Sequence, residues 1–345
     1  MIKIQSKKSL GVLGLGEVML RLSPPDKERI SFCESFEKNA GGSELNVVSG
    51  VCALGIPSGI ITKIPESEIG KFVKRKIKYF GANTDYVLTD ASQSSRLGIY
   101  YYESGAFPRP PMVSYDRKSS AFTTLCEDEL PPEIYEKTQI FHTSGITLAL
   151  GEEIRENTIK IIKKFSEKNT HISFDVNYRE ALWSEKDAKK SIESIFPMVN
   201  ILFISEETAR RMFNMKGTLH EIQQNFSKIY PNLEIIASTK REAISPSKHN
   251  FSSLVYDCKS NEFFEEDPYL DIDVVDRVGS GDAYVAGALY ALLKYRDIEK
   301  ISKYGNAMAA IKNTVSGDVA KCDLSDIERI IKRHSSSTQS NEMVR

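Results

Sequence analysis

The chain has 345 residues, and its 46 basic and 47 acidic side chains leave a formal charge of −1 and a pI near 6.6. That balance argues against an electrostatic nucleic-acid binder, and no apolar run reaches the ~18–20 residues of a membrane span. Five scattered cysteines, never in a CxxC pair, fit reduced thiols in a cytosolic protein and exclude a disulfide frame or a structural zinc site.

Up to about residue 333, short β-rich runs alternate with helical patterns, the signature of βαβ units around a parallel sheet. Val12–Leu15 is the first predicted strand. It lies in an apolar stretch interrupted by Gly11, Gly14, Gly16 and Glu17, so it is no signal sequence. Gly14-Leu-Gly-Glu17 lacks the third glycine of a dinucleotide fingerprint and continues as strand-like Val-Met-Leu-Arg-Leu22. Ile30–Glu37 and Ser95–Phe122 predict strands rich in Tyr and Phe, the second interrupted by a turn at Pro108–Pro111. Antiparallel strands inserted into a βα chain form a small subdomain beside the main sheet, here expected as a lid. Helices are predicted over Ser43–Leu54, Ile69–Phe80 and Ile154–Phe165, from apolar residues at helical spacing. Further strands are predicted over Gly59–Lys63, Gln139–His142, His171–Asp175, Ile201–Phe203 and Leu233–Ala237. The last third turns helical over Gly281–Lys294, Asp297–Asn313 and Leu324–Arg333. Residues 1–333 are thus expected as one domain, and the Ser-rich residues 334–345 as a flexible tail.

Three segments carry chemistry. Val-Gly279-Ser280-Gly281-Asp282 leads straight into an apolar helix, and a glycine-flanked helix N-terminus aims unpaired N–H groups at one point, an anion site. Asp282 in the first turn is placed to accept a proton beside a transferring phosphate, although such a turn is also an ordinary helix start. Gly41-Gly42 opens the helix at Ser43, with Asn46 one turn in, able to hydrogen-bond a hydroxyl. Asp175-Val-Asn177-Tyr-Arg179 follows a buried strand, and ligands of parallel sheets bind beyond the carboxyl ends of strands. The histidines at 142, 171, 220, 249 and 334 show no metal-cage spacing.

Taken in this order, these segments resemble the PfkB (ribokinase-like) carbohydrate kinases over roughly residues 10–333. The two signatures are Gly41-Gly42-x-x-x-Asn46 and Asp276-x-x-Gly279-Ser280-Gly281-Asp282. Within that family the chain looks most like 2-keto-3-deoxygluconate kinases, through Gly14-x-Gly-Glu-x-Met-Leu20, Gly98-Ile-Tyr100, Tyr115-Asp-Arg117, Ser144-Gly-Ile-Thr-Leu-Ala149 and Phe174-Asp-Val-Asn-Tyr-Arg179. The resemblance implies an α/β fold, a three-layer α/β/α core with a small β-sheet lid that often forms a dimer contact. It implies transfer of the ATP γ-phosphate, with Mg2+, to a hydroxyl of a sugar or sugar acid. Asp282 would be the base and Gly279, Ser280 and Gly281 the anion hole, with Asn306 near the nucleotide. Gly42, Asn46, Tyr100, Tyr115, Arg117, Ile146, Arg179 and Asp318 would hold the sugar.

The chain departs from the family pattern in three places. Arg277 stands where Thr is common. Thr239-Lys-Arg-Glu-Ala replaces a Gly-x-x-Gly nucleotide loop, and Ser205-Glu-Glu-Thr208 replaces Asn-x-x-Glu. Rival readings are a fructokinase or another family kinase, and a catalytically silent sugar- or nucleotide-binding protein. Two guanidinium groups, Arg117 and Arg179, suit a substrate carboxylate, whereas a neutral sugar needs fewer. A cytoplasmic homodimer joined through the lid is expected, without nucleic-acid or membrane partners.

Overall fold

The structure, a computed structural model, describes residues 4–5, 8–245 and 247–335. Its strands are β1 (Leu10–Leu15), β2 (Met19–Ser23), β3 (Glu37–Gly41), β4 (Ser58–Pro65), β5 (Val87–Asp90), β6 (Ile99–Glu103) and β7 (Met112–Asp116). They continue as β8 (Thr138–Ser144), β9 (His171–Asp175), β10 (Ile201–Phe203), β11 (Ile235–Ser245), β12 (Lys248–Asp257), β13 (Glu262–Glu265) and β14 (Tyr269–Asp273). The helices are α1 (Ser43–Ala53), α2 (Glu68–Tyr79), α3 (Gly145–Leu148), α4 (Glu152–Glu167) and α5 (Glu185–Ile195). They continue as α6 (Glu206–Phe213), α7 (Leu219–Ile229), α8 (Ser280–Tyr295), α9 (Glu299–Asn313) and α10 (Leu324–Ser335).

One sheet runs in the order β13-β12-β11-β10-β9-β8-β1-β4-β5, with β14 pairing β12. From β11 to β5 all pairs are parallel, and β12 to β14 add antiparallel. Helices bury both faces of the central strands, including polar residues such as His142, Thr143 and Ser173. Val12, Ile60, Ile140, Ile201 and Ile235 pack with α1, α2 and α8 to α10 on one face. Leu13, Leu15, Ile61, Phe141 and Ile236 pack with α4 to α7 on the other. These are the three layers expected. Beyond β1 the chain first builds outward to β4 and β5 and later returns to β8, so the strand order switches direction at β1 and opens a crevice at the carboxyl ends.

A second sheet, β3-β2-β6-β7, stands over that crevice. The strand expected over Ile30–Glu37 is displaced. Residues 30–36 run as turns, with Glu103 accepting the Ile30 N–H and Arg29 O taking the Phe32 N–H, and pairing with β2 begins only at Glu37. The first two residues of the tail expected over 334–345 are helical instead. His334 and Ser335 close α10, held where the His334 ring stacks on Tyr269 with centroids 3.8 Å apart, and residues 336–345 lie outside the described residues. No helix among the described residues is long and apolar enough to cross a membrane.

Candidate active site

Helix α8 starts with no side-chain cap. Gly279 stands before it at φ 82°, and a Cβ there would lie 1.9 Å from Asp318 O, so only glycine lets the two loops touch. Ser280 N–H donates to Arg277 O at 3.4 Å, whereas no backbone partner among the described residues takes the Gly281 and Asp282 amides, and space beside Gly281 is open. They face a cleft of about 980 Å3 lined also by Gly42, Asn46, Tyr100, Tyr115, Arg117, Ile146, Arg179 and Asp318. Every sugar-side residue expected from the sequence thus reaches one cavity.

Asp282 is clamped. Its Oδ1 accepts Ser43 Oγ at 2.8 Å and its Oδ2 accepts Asn46 Nδ2 at 2.7 Å, both from the first turns of α1. Asn177, at φ 36° just past β9, donates to Ser43 Oγ at 2.9 Å. Burial raises the Asp282 carboxyl above its ordinary value, and the Asn46 and Ser43 bonds oppose that rise. Two further carboxyls sit beside it. Glu44, 1% exposed, accepts Ser144 Oγ at 2.7 Å and Thr147 Oγ1 at 2.9 Å, and burial pushes it up to about 7. Burial and the Asp282 charge push Asp175 to about 7 as well.

On the sugar side, the lid supplies Tyr100 from β6 and Tyr115 from the exposed strand β7, their rings 5.8 Å apart. Arg117 is already engaged: Nε and Nη2 both donate to Glu17 Oε2, and Glu17 is 4% exposed. Arg179 is exposed, and among the described residues its side chain bonds only its neighbour's carbonyl, Tyr178 O. Asp318 is a buried anchor as well as a lining residue. Arg21 of β2 joins it to Asp276, and Tyr100 donates to its other oxygen. A Cβ on Gly41 would collide with that carboxylate, which is why the chain is glycine there.

On the nucleotide side the expected residues lie at different depths. Asn306, expected near the nucleotide, is fully buried between α9 and β12, where its Oδ1 accepts Ser253 Oγ at 2.8 Å; it does not line the cleft. Thr239-Lys-Arg-Glu-Ala is no loop: β11 continues through it, paired to β12 as far as Ser245. Its Thr239, Lys240 and Arg241 side chains line the cleft with Arg277. Burial and the Arg277 charge lower Arg241, and burial with both arginines lowers His249 to about 4. Ser205 caps α6 by accepting Thr208 N, and Glu206 and Glu207 line the cleft while pairing with Arg210 and Arg211. A second cavity of about 480 Å3, lined by Asn177, Thr208, Arg211, Tyr284 and Val285, adjoins the first.

Sequence reasoning missed Ser43, Glu44, Glu17 and Arg21. The available signal was a charged residue inside an otherwise apolar element, Arg21 in Met-Leu-Arg-Leu and Glu44 in Ser-Glu-Leu-Asn-Val-Val.

Residues 11–324 match the profile of the pfkB family carbohydrate kinases. A 2-dehydro-3-deoxygalactonokinase of Haloferax volcanii is 36% identical over 317 residues, 92% of this chain and 95% of that protein. The crystal structure of a 2-dehydro-3-deoxygluconokinase from Thermotoga maritima superposes with a TM-score of 0.89 at 31% identity, covering 94% of this chain and 98% of the other. A sugar kinase from Pyrococcus horikoshii, solved in complex with ATP, shares the fold with a TM-score of 0.73 at 21% identity, over 92% of this chain and 99% of that one.

Proposed function

The chain belongs to the pfkB family of carbohydrate kinases, and on that premise we propose that it transfers the ATP γ-phosphate to a hydroxyl of a 2-keto-3-deoxy sugar acid, such as 2-keto-3-deoxygluconate or its galacto epimer. The observation that carries this reading is the meeting, in one cleft, of clamped Asp282, the Gly279–Gly281 amides and two arginines, Arg117 and Arg179. Asp282 takes the proton of the attacking hydroxyl as the oxygen–phosphorus bond forms and ADP leaves. The amides meet the negative charge that develops on the transferring group. Tyr100, Tyr115, Ile146, Gly42, Asn46 and the two arginines orient the sugar acid.

Arg241 and Arg277 carry no ion pair among the described residues, and the Arg277 charge adds to the burial that lowers Arg241. A polyphosphate relieves that repulsion, so they take over the role of a glycine loop in holding ATP. Glu206 and Glu207, each now paired with an arginine, would be the acids to hold Mg2+, because that ion keeps most of its water shell and needs only one or two carboxylates. When bound, it neutralises phosphate charge.

The four-stranded sheet acts as a lid and as the contact of a homodimer. The support is β7, an outer strand exposed along its whole length, with Met112, Val113 and Tyr115 on it and Phe107 beside it. Light scattering at micromolar concentration should give about twice the chain mass; the monomer mass would remove the dimer. Five free thiols suit the cytoplasm.

A neutral ketose is the second reading, favoured by Glu17 compensating Arg117. ATP turnover against a panel of sugars and sugar acids decides between them. Activity confined to the acids, lost by roughly 10²–10⁴-fold in Asp282→Asn, supports the proposal. Preference for fructose, or full turnover by the variant, overturns it.

A further inference from the structure

Lys312 is a charged side chain with no exposure at all, on the last turn of α9. Among the described residues it pairs with no carboxylate. Its Nζ donates to two backbone carbonyls, Asp276 O at 2.9 Å and Val315 O at 3.3 Å. The first belongs to the turn that leads into α8. The second belongs to the loop that ends at Asp318, whose own carbonyl presses against Gly279.

The neighbouring residue reinforces the same junction. Asn313 O accepts the N–H groups of Val275 and Asp276, and Asn313 Nδ2 donates to Ser280 Oγ at 2.9 Å. The Asp276 carboxylate closes the ring, accepting Val278 N through Oδ1 and Gly317 N through Oδ2, both at 3.0 Å. The carboxyl end of α9 is therefore wired to the amino end of α8. A cation at the carboxyl end of a helix is also favoured by the aligned peptide dipoles.

Charged groups surround Lys312 from several elements: Arg21 of β2, Asp276 and Asp318 of the two loops, and Asp282 of α8. Burial lowers its pKa to about 8, while Asp276 and Asp318 help keep the proton on, so the ammonium survives at neutral pH. A buried ammonium without a directly bonded carboxylate is costly unless backbone oxygens replace its water, and here they do.

We propose that Lys312 is a positioning residue for phosphate transfer, an internal cation that draws the Asp276 and Val315 carbonyls together and so sets the direction of the Gly279–Gly281 amides. This rests on the kinase reading of the cleft. A neutral side chain of the same length leaves those carbonyls facing one another unbridged, and the amide turn loses its fixed geometry. Preorganised donors act on the transition state, so kcat and kcat/KM for the sugar fall together.

Two variants and two measurements test it. Lys312→Met fills the same space without charge; with a cooperative melt retained, its kcat should fall about 10²-fold with little change in the sugar KM. Lys312→Ala opens a hole lined by carbonyls, and ethylammonium, but not the larger tetramethylammonium, should restore kcat saturably. Should the Ala variant fail to fold, Lys312→Met decides alone. Calorimetry with inorganic phosphate reads the amide site without turnover, and the affinity should drop at least about tenfold in Lys312→Met. Wild-type protein that turns over no sugar would remove the kinase reading, while the phosphate titration would still judge Lys312. Unchanged phosphate affinity in Lys312→Met, kcat within twofold of wild type, or a folded Ala variant deaf to ethylammonium would each overturn the proposal.

Discussion

Ser43 Oγ lies 2.8 Å from Asp282 Oδ1, and its proton can point only at that carboxylate, because Asn177 Nδ2 already occupies a lone pair of the same hydroxyl. Asn46 fixes the second oxygen in the same sense, since turning its amide would set two acceptors together. Both bonds favour ionised Asp282 against the burial that raises it. Removing one should therefore weaken the base toward acid. In Ser43→Ala the acid limb of kcat/KM should move to higher pH, and Ser43→Thr should bring it back. A limb that stays put in Ser43→Ala would dissociate Ser43 from the ionisation of Asp282.

The two sugar-side arginines should behave differently. Arg179 has no carboxylate partner in the described structure, so Arg179→Ala should raise KM for a sugar acid by roughly tenfold to a hundredfold and leave a neutral ketose little affected. Arg117→Ala strands Glu17, whose side chain is 2% exposed, and should cost stability on the order of 3–5 kcal/mol, read as a lower denaturation midpoint. Arg117→Ala with an unchanged midpoint would mean that Glu17 finds another partner.

At the nucleotide side, Arg241→Ala should raise KM for ATP about tenfold or more while the sugar KM holds. It should also relax His249, which that guanidinium and Arg277 help hold down near 4, so the imidazole signals should titrate at higher pH. An ATP KM equal to wild type would take Arg241 out of the phosphate site.

Glu44 makes a stability prediction with a definite sign. Its ordinary value is 4.5 and its native value about 7, so the folded protein keeps a proton that the unfolded chain has lost between those limits. The contribution is fully present below about 4.5 and is lost as pH rises to about 7, on the order of 3 kcal/mol by linkage. Glu44→Gln should melt above wild type at pH 7.5 and close to it at pH 5. Parallel melting curves across that range would show that Glu44 is ionised throughout.

The elements legible in the sequence were those with a single strong signal. β1 and β10 are buried on both faces and read as apolar runs, β8 and β9 show short β-rich cores around Ile140-Phe141 and Ile172-Ser-Phe174, and α2 and α4 carry clear stripes. β12 to β14 were invisible because antiparallel additions with one wet face mix Lys, His, Asn and Ser into the pattern. The segment 30–36 misled for the opposite reason: Ile30, Phe32 and Phe36 keep a strand's apolar spacing while the backbone turns. Gly41, Gly42, Asn46 and Asp282 stand out in the sequence because two glycine-led helix starts follow in order, each alone being an ordinary helix start, and the fold brings Asn46 and Asp282 within hydrogen-bond distance. The burial of Asn306 was not legible because its partner, Ser253, sits on the strand that could not be read. Lys312 escaped because burial of a lysine among alanines depends on carbonyls brought in from a distant turn.

Asp318 lines the sugar cleft, yet both its oxygens are committed to Arg21 and Tyr100, and its backbone supports Gly279. Any attempt to redirect this enzyme toward a new sugar by changing Asp318 would unmoor the β2–β6 sheet and the phosphate end at once. Diversity for such engineering belongs instead on β7, where Val113 and Tyr115 reach the cleft from an exposed outer strand that anchors neither the buried Arg21–Asp318 pair nor Gly279, with the oligomeric state checked alongside. A library built there can vary the shape of the sugar chamber while the machinery beneath it stays whole.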